Sequence, residues 1–284
     1  MLAHDEARHV LDDPRELELA LRGTLEEARR KGPAAASETT PWLRSWFAPR
    51  ALEELLSFRS AIETLQPEHA DVARVILSRA ARSARLTTHF DLDFPRVPTT
   101  QPYYCHKHKR TCRPVEEAAK FLKRYTLDTV RRIRAFAEVR TARSVTVLHA
   151  DSRTVQLPSR PTGVITSPPY PGLIDYHEQH RYAYELLGLV DRSNEEIGAA
   201  TAGRSRPAVE DYVEGMTAVF TNTRAQLAPR ARALIVVNDS RDLYPRILAN
   251  AGFVLEDRIT RHVNRRTGRR AGEYFEEILI CRSR

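Results

Sequence analysis

The residues best suited to chemistry in this chain are Thr166-Ser167-Pro168-Pro169-Tyr170. The preceding Gly163-Val164-Ile165 reads as the end of a short buried strand. The two prolines forbid both helix and ladder pairing, so the chain must leave the sheet stiffly. That sets a hydroxyl, two donor-free peptide groups and an aromatic ring at the C-terminal edge of a parallel sheet, where open α/β sheets bind ligands. A planar amino group conjugated with a base needs such surroundings. Acceptors on both of its hydrogens draw the nitrogen toward tetrahedral geometry and free its lone pair. The nitrogen can then attack an electrophile with no enzyme nucleophile, given alignment and desolvation. The plainer reading of the same five residues is a proline turn with a surface tyrosine.

TSPPY resembles the catalytic motif of S-adenosylmethionine-dependent DNA amino-methyltransferases, in the Ser-Pro-Pro-Tyr form typical of cytosine-N4 enzymes. The resemblance implies a catalytic turn of Ser167, Pro168, Pro169 and Tyr170. Ser167 and the Pro168 carbonyl would be the acceptors, and Tyr170 would stack on a base extruded from the duplex. The stretch from Val145 to Leu189 is similar to the matching region of the same family. There an acidic residue ends the strand before the motif and lines the cofactor pocket, which implies Asp151 here. Thr166, Asp175 and Tyr176 would border the cofactor or the base. Read from the residues alone, Asp151 serves equally well as a carboxylate capping a loop, and Tyr176 as a packing side chain. The end of the chain, from Gly252 to Cys281, looks like the family's closing hairpin. The resemblance covers roughly residues 40 to 284, and TSPPY is its one specific motif.

The departure from the family is an absence. Its members carry a glycine-rich loop after their first strand, often D-P-F-x-G-S-G, and an acidic residue that holds the ribose hydroxyls. None of the 11 glycines here forms a G-x-G. Gly23 and Gly32 lie in or beside a polar helix, with no apolar strand before them. The expectation is a split enzyme in which a second polypeptide supplies the glycine-rich part. A degenerate relative is the other reading. Adenine-N6 and RNA amino groups are alternative targets, and a non-catalytic DNA-binding subunit is the rival from another class.

Composition is consistent with a polyanion partner. The chain of 284 residues carries 45 Lys+Arg against 37 Asp+Glu, a formal net charge of +8, although many soluble enzymes are mildly basic. Arg258, Arg261, Arg265, Arg266, Arg269 and Arg270 fall on the terminal hairpin. Arg265, Arg266, Arg269 and Arg270, at its turn, are the candidates for phosphate contact. The alternative is a solvated edge protected against aggregation. Three cysteines, an odd number, point to a reducing cytoplasm rather than a disulfide framework. No apolar run approaches a membrane span. Cys105, His108 and Cys112 could reach one zinc, but no second well-spaced pair accompanies them. No metal is therefore expected, and the segment reads as a basic loop with two ordinary thiols. Trp42, Trp46 and Phe47 read as a docking or core cluster.

The elements that must position the motif divide the chain in two. Residues 1–140 read as a helical region for target recognition or partner docking. Its first helix, Arg15 to Lys31, places Leu17, Leu21, Leu25 and Ala28 on one face, before the small-residue linker GPAAASETTP. Amphipathic helices follow the aromatic cluster and run through Asp71 to Ile76. Arg82 to Thr111 has no period and reads as an extended connection. Pro114 is expected to open a long helix. Residues 141–284 read as the catalytic α/β domain. Strands are expected at Ser144–His149, Gly163–Thr166 and Ala233–Val237, helices at His177–Leu189, Val209–Leu227 and around Tyr244–Leu248, and a closing hairpin at the end. The fold expected is α/β: a partial Rossmann-like sheet with a C-terminal antiparallel hairpin and a helical N-terminal region.

Overall fold

The computed structural model describes residues 12–31, 39–89, 95–263 and 275–284. The chain forms two compact units, one of Met1–Leu148 with His177–Asp191 and one of His149–Tyr176 with Arg192–Arg284. The division thus falls at 148/149 rather than 140, and a segment after the motif returns to the first unit. Among the described residues no helix is long and apolar enough to cross a membrane.

The first unit is helical. Helices α1 (Pro14–Lys31), α2 (Pro41–Trp46), α3 (Pro49–Ile62) and α4 (Pro67–Ala84) are followed by a small hairpin of β1 (Tyr103–Cys105) and β2 (Arg110–Cys112), then α5 (Ala119–Val139). The apolar stripe on α1 does what its period requires: Leu17, Leu21 and Ala28 are buried with the core of α3 and α4. Proline at the first turn of α2, α3 and α4 sets the starting φ where no N–H is needed. Trp46 and Phe47 are buried core residues, and Trp42 stacks on Trp46 at 5.5 Å. The long helix begins at Ala119, not Pro114. Its start is fixed from a distance: the Glu54 carboxylate on α3 accepts the Ala118 and Ala119 N–H groups at 2.6 and 2.7 Å. A carboxylate there satisfies orphan donors and complements the helix dipole. Helix α6 (Tyr176–Leu187) belongs to this unit, where Leu186 is buried and its carbonyl accepts from Arg59 at 3.0 Å.

The hairpin β1–β2 lies where an extended connection was expected. Strands of only three residues each are too short to carry a readable period.

The second unit holds a four-stranded sheet in the order β3-β4-β6-β5, built from β3 (Gly163–Thr166), β4 (Arg232–Val237), β5 (Phe253–His262) and β6 (Phe275–Ser283). The β3–β4 pair is parallel, and β6 runs antiparallel to both β4 and β5. The fold is therefore mixed α/β with the expected terminal hairpin. Helices α7 (Arg206–Gln226) and α8 (Tyr244–Asn250) cover one face. Their buried Tyr212, Met216, Phe220, Ile247 and Leu248 share a core with Ala233, Ile235, Val237, Leu279 and Cys281. The last helix stops at Gly252, whose φ of 81° suits a residue without a Cβ.

Two expectations fail here. Ser144–His149 forms no strand, and Val145, Val147 and Leu148 are exposed. An alternating apolar run becomes a strand only when an edge accepts it, and among the described residues none does. The strand before the motif is not buried either: Ile165 is 82% exposed. Ile165 pairs with Leu234, Leu234 with Ile280, and Val236 with Ile278. Cross-strand partners share a face. These residues thus form an apolar strip opposite the helix-covered face, and those besides Ile165 are half-exposed. Apolar side chains on both faces are the pattern of a sheet covered on both sides.

Candidate active site

The motif leaves β3 at the C-terminal end of the parallel pair, with Thr166 in register with Ile235 of β4. Asn238 and Asp239 end β4 at the same side of the sheet. Ser167 is exposed, Pro168 is buried, and Pro169 and Tyr170 are half-buried. The turn is held from beneath. The Tyr212 hydroxyl on α7 donates to the Pro169 carbonyl at 2.9 Å and lies 2.9 Å from the Tyr244 hydroxyl of α8. Both Asp239 oxygens accept N–H groups at the start of α8, from Leu243 and Tyr244, each at 2.8 Å. Burial pushes the Tyr212 phenol up to about 12, and burial with the neighbouring Tyr212 and Asp239 raises Tyr244 still further. Both stay protonated, so the relay of hydroxyls to the motif persists across the physiological range.

The Tyr170 ring packs against the sheet core, and its hydroxyl donates to Glu276 of β6 at 3.1 Å. The other Glu276 oxygen accepts from Arg261 of β5 at 2.6 Å. The ring is thus oriented by two strands while remaining partly accessible.

The chain beyond the motif is laced to residues 196–201. Gly172 N–H reaches the Gly198 carbonyl at 2.9 Å, and Ala200 N–H reaches that of Ile174 at 3.3 Å. Asp175 accepts from the Thr201 N–H and hydroxyl at 2.9 and 3.1 Å, and Glu196 accepts the Tyr176 N–H at 3.0 Å. A Cβ on Gly198, at φ +75°, would stand 2.7 Å from the Tyr212 ring. Glycine there lets this loop close on the residue that holds the motif. Asp175 is thereby a loop tie, and the Tyr176 ring is exposed.

Asp151 is engaged within its own loop. Its carboxylate accepts the Arg153 N–H at 2.8 Å and pairs with the Arg153 guanidinium at 2.7 Å. Hydrogen bonds from Arg153 hold it below the usual carboxylate range. Its carbonyl also accepts from Thr154 and Val155, so the loop-capping role is the one these contacts describe. A groove along α7, lined by Arg153, Glu210, Asn222 and Arg246, contains none of the motif residues.

Of the arginines, Arg258 pairs with Asp242 and Glu277, and Arg261 with Glu276. These two brace the hairpin. Arg265, Arg266, Arg269 and Arg270 lie outside the described residues. Sequence reasoning missed Tyr212, Tyr244, Asp239 and Glu276. The available signal was a tyrosine on the apolar face of a helix, since a buried phenol needs a partner.

The chain is similar to the Type II methyltransferase M.MjaII of Methanocaldococcus jannaschii. The two are 40% identical over 255 residues, which cover 84% of this chain and 48% of that protein. The chain therefore spans about half the length of this relative. No protein-family model and no solved structure matches it.

Proposed function

We propose that this chain carries the target-binding, catalytic part of a DNA amino-methyltransferase that uses S-adenosylmethionine, with cytosine N4 as the acceptor. The observation that carries the reading is the braced TSPPY turn at the end of the parallel pair, in a chain similar to a protein named as a Type II methyltransferase. Ser167 and the Pro168 carbonyl accept the two N–H bonds of the base's amino group. The Tyr170 ring, set by Glu276 and the core, stacks on the flipped base. When bound, S-adenosylmethionine supplies an electrophilic methyl group.

The described residues do not by themselves fit that cofactor. Asp151 is engaged by Arg153. The glycines with positive φ, Gly172, Gly188, Gly198, Gly203 and Gly252, lie beyond the motif rather than after an earlier strand. We propose that a second polypeptide supplies the glycine-rich loop and completes a Rossmann-like sheet. Asp151, Thr166, Asp175 and Tyr176 would then face the cofactor from this side. The edge of β3, which pairs only with β4 among the described residues, and the apolar strip of Ile165, Leu234, Ile280, Val236 and Ile278 support this reading.

The test is methyl transfer to duplex DNA by this chain together with a polypeptide bearing a D-P-F-x-G-S-G-like loop, with the modified nucleoside identified by mass spectrometry. N4-methylcytosine is expected. Ser167→Ala should lower single-turnover methylation while DNA affinity stays nearly unchanged. Tight S-adenosylmethionine binding by the chain alone would refute the split arrangement, and an undiminished Ser167→Ala enzyme would move the acceptor role elsewhere.

A further inference from the structure

The small hairpin of the helical unit brings together side chains that the proposed methyl transfer does not use. In β1–β2, Cys105 is the partner of Arg110, and Cys112 lies two residues beyond Arg110. Side chains alternate along a strand, so both thiols fall on one face. Both are buried. The turn between the strands places His108 three residues after Cys105, where its N–H meets the Cys105 carbonyl at 3.2 Å. A fourth group arrives from the chain after α4, where His89 turns toward the same point. One ligand atom from each of His89, Cys105, His108 and Cys112 lies within 4.8 Å of all the others.

The separations have a chemical meaning. Cys105 Sγ is 3.6 Å from His89 Nδ1 and 3.6 Å from His108 Nδ1, and Cys112 Sγ is 3.5 Å from His108 Nδ1. A tetrahedral zinc with Zn–S of about 2.3 Å and Zn–N of about 2.0–2.1 Å sets its sulfur and nitrogen ligands about 3.6 Å apart. Hydrogen bonding accounts for the cluster less well. The His108 Nδ1 has one lone pair or one proton, yet two thiols converge on it. A cation at the common centre satisfies all four groups together. Tyr103 anchors the backbone at the fourth ligand: its hydroxyl accepts the His89 backbone N–H at 3.0 Å.

We propose that His89, Cys105, His108 and Cys112 bind one zinc ion in a closed structural site that folds the β1–β2 hairpin against the chain leaving α4. Two thiolates and two imidazoles in a tetrahedral set favour zinc over magnesium or calcium. Four protein ligands leave no open position for substrate, which marks the site as structural. Two thiolates also neutralise the ion, in a segment already carrying Lys107, Lys109 and Arg110. The hairpin needs such a staple, since two three-residue strands are not stable by themselves in water.

The test is metal analysis of the purified full chain, without a histidine tag, from zinc-supplemented cells, followed by cobalt substitution. One zinc per chain is expected, with tetrahedral d–d bands and a thiolate-to-cobalt charge-transfer band. Cys105→Ser and Cys112→Ser should lose the metal, while Cys281→Ser, which is not one of the four clustered residues, should retain it. His89→Ala should weaken cobalt binding by more than the roughly 10–100-fold that losing an outer hydrogen-bond partner costs. Should the cysteine variants be insoluble, the cobalt spectrum of the unaltered chain decides alone. Absence of a tetrahedral cobalt spectrum, or a Cys105–Cys112 disulfide in freshly purified protein, would overturn the site. An unchanged cobalt spectrum in His89→Ala would overturn the four-ligand assignment.

Discussion

The hydroxyl of Tyr212 donates to the carbonyl of Pro169 at 2.9 Å, so the second proline of the motif is tied to a helix more than forty residues further along the chain. Proline has no N–H with which to fix itself, and its carbonyl is the group left to anchor. The Tyr244 hydroxyl completes the relay, and Asp239 fixes the start of the helix that carries it.

Tyr212→Phe removes that donor and keeps the ring that fills the core. It leaves a part-buried carbonyl unpaired, at a cost of about 1–3 kcal/mol. Chemical denaturation of the chain should show this loss. Methyl transfer should fall further than stability does, because the turn carrying Ser167 loses its anchor. Activity equal to the unaltered protein in the folded variant would show that the turn is stiff enough without the tie.

Asp128 offers a pH-dependent test of the helical unit. It accepts from Arg79 on α4 at 2.6 Å and pairs with Arg131 and Arg132 on its own helix. Hydrogen bonds from Arg79 and Arg132 hold its pKa well below the usual value. A depressed carboxylate stabilises fully above its unfolded pKa, near about 3.9, and loses that contribution as pH falls through the folded value. Partly exposed pairs are worth little each, so Asp128→Asn should cost about 1–2 kcal/mol at pH 7. Below about pH 4 the difference between the two proteins should shrink. A constant difference down to pH 2 would assign the effect to packing.

Much of this architecture was legible because it rests on local periodicity. The α1 stripe of Leu17, Leu21 and Ala28, the helices at 206–226 and 244–250 and the closing hairpin all follow from spacing and from Gly252. What escaped depends on partners far along the chain. Ala119 begins a helix because Glu54 reaches it. Ser144–His149 alternates like a strand yet pairs with no strand among the described residues. The candidate site was half legible: TSPPY was visible as a motif, whereas its support by Tyr212 and Glu276 is tertiary. His89 lies 16 residues before Cys105, too distant to be read with the Cys-x-x-His spacing.

The exposed Ile165 tests the second polypeptide directly. If added elements cover the strip it begins, then Ile165→Asp leaves the chain alone folded and weakens assembly. Burying an isoleucine is worth about 1.5–3 kcal/mol, so affinity for the partner should fall by about ten- to a hundredfold. Circular dichroism of the single chain and titration with the partner separate the two effects. Unaltered assembly would mean that the strip lies outside the joint.

The arginines of the terminal hairpin divide into two groups with different expected behaviour toward DNA. Arg258 and Arg261 are paired with Asp242, Glu277 and Glu276, so their charge is compensated on the protein. Arg265, Arg266, Arg269 and Arg270 are the candidates for phosphate contact. Each such contact on duplex DNA lowers log affinity by about 0.9 per unit of log salt through counterion release. Replacing Arg265 and Arg266 with alanine should therefore flatten the salt slope by up to about 2, while methylation at saturating DNA survives. Arg258→Ala should leave the slope unchanged and act on hairpin stability instead. The reverse pattern, with a slope altered by Arg258→Ala and not by the Arg265 and Arg266 variants, would place the DNA elsewhere.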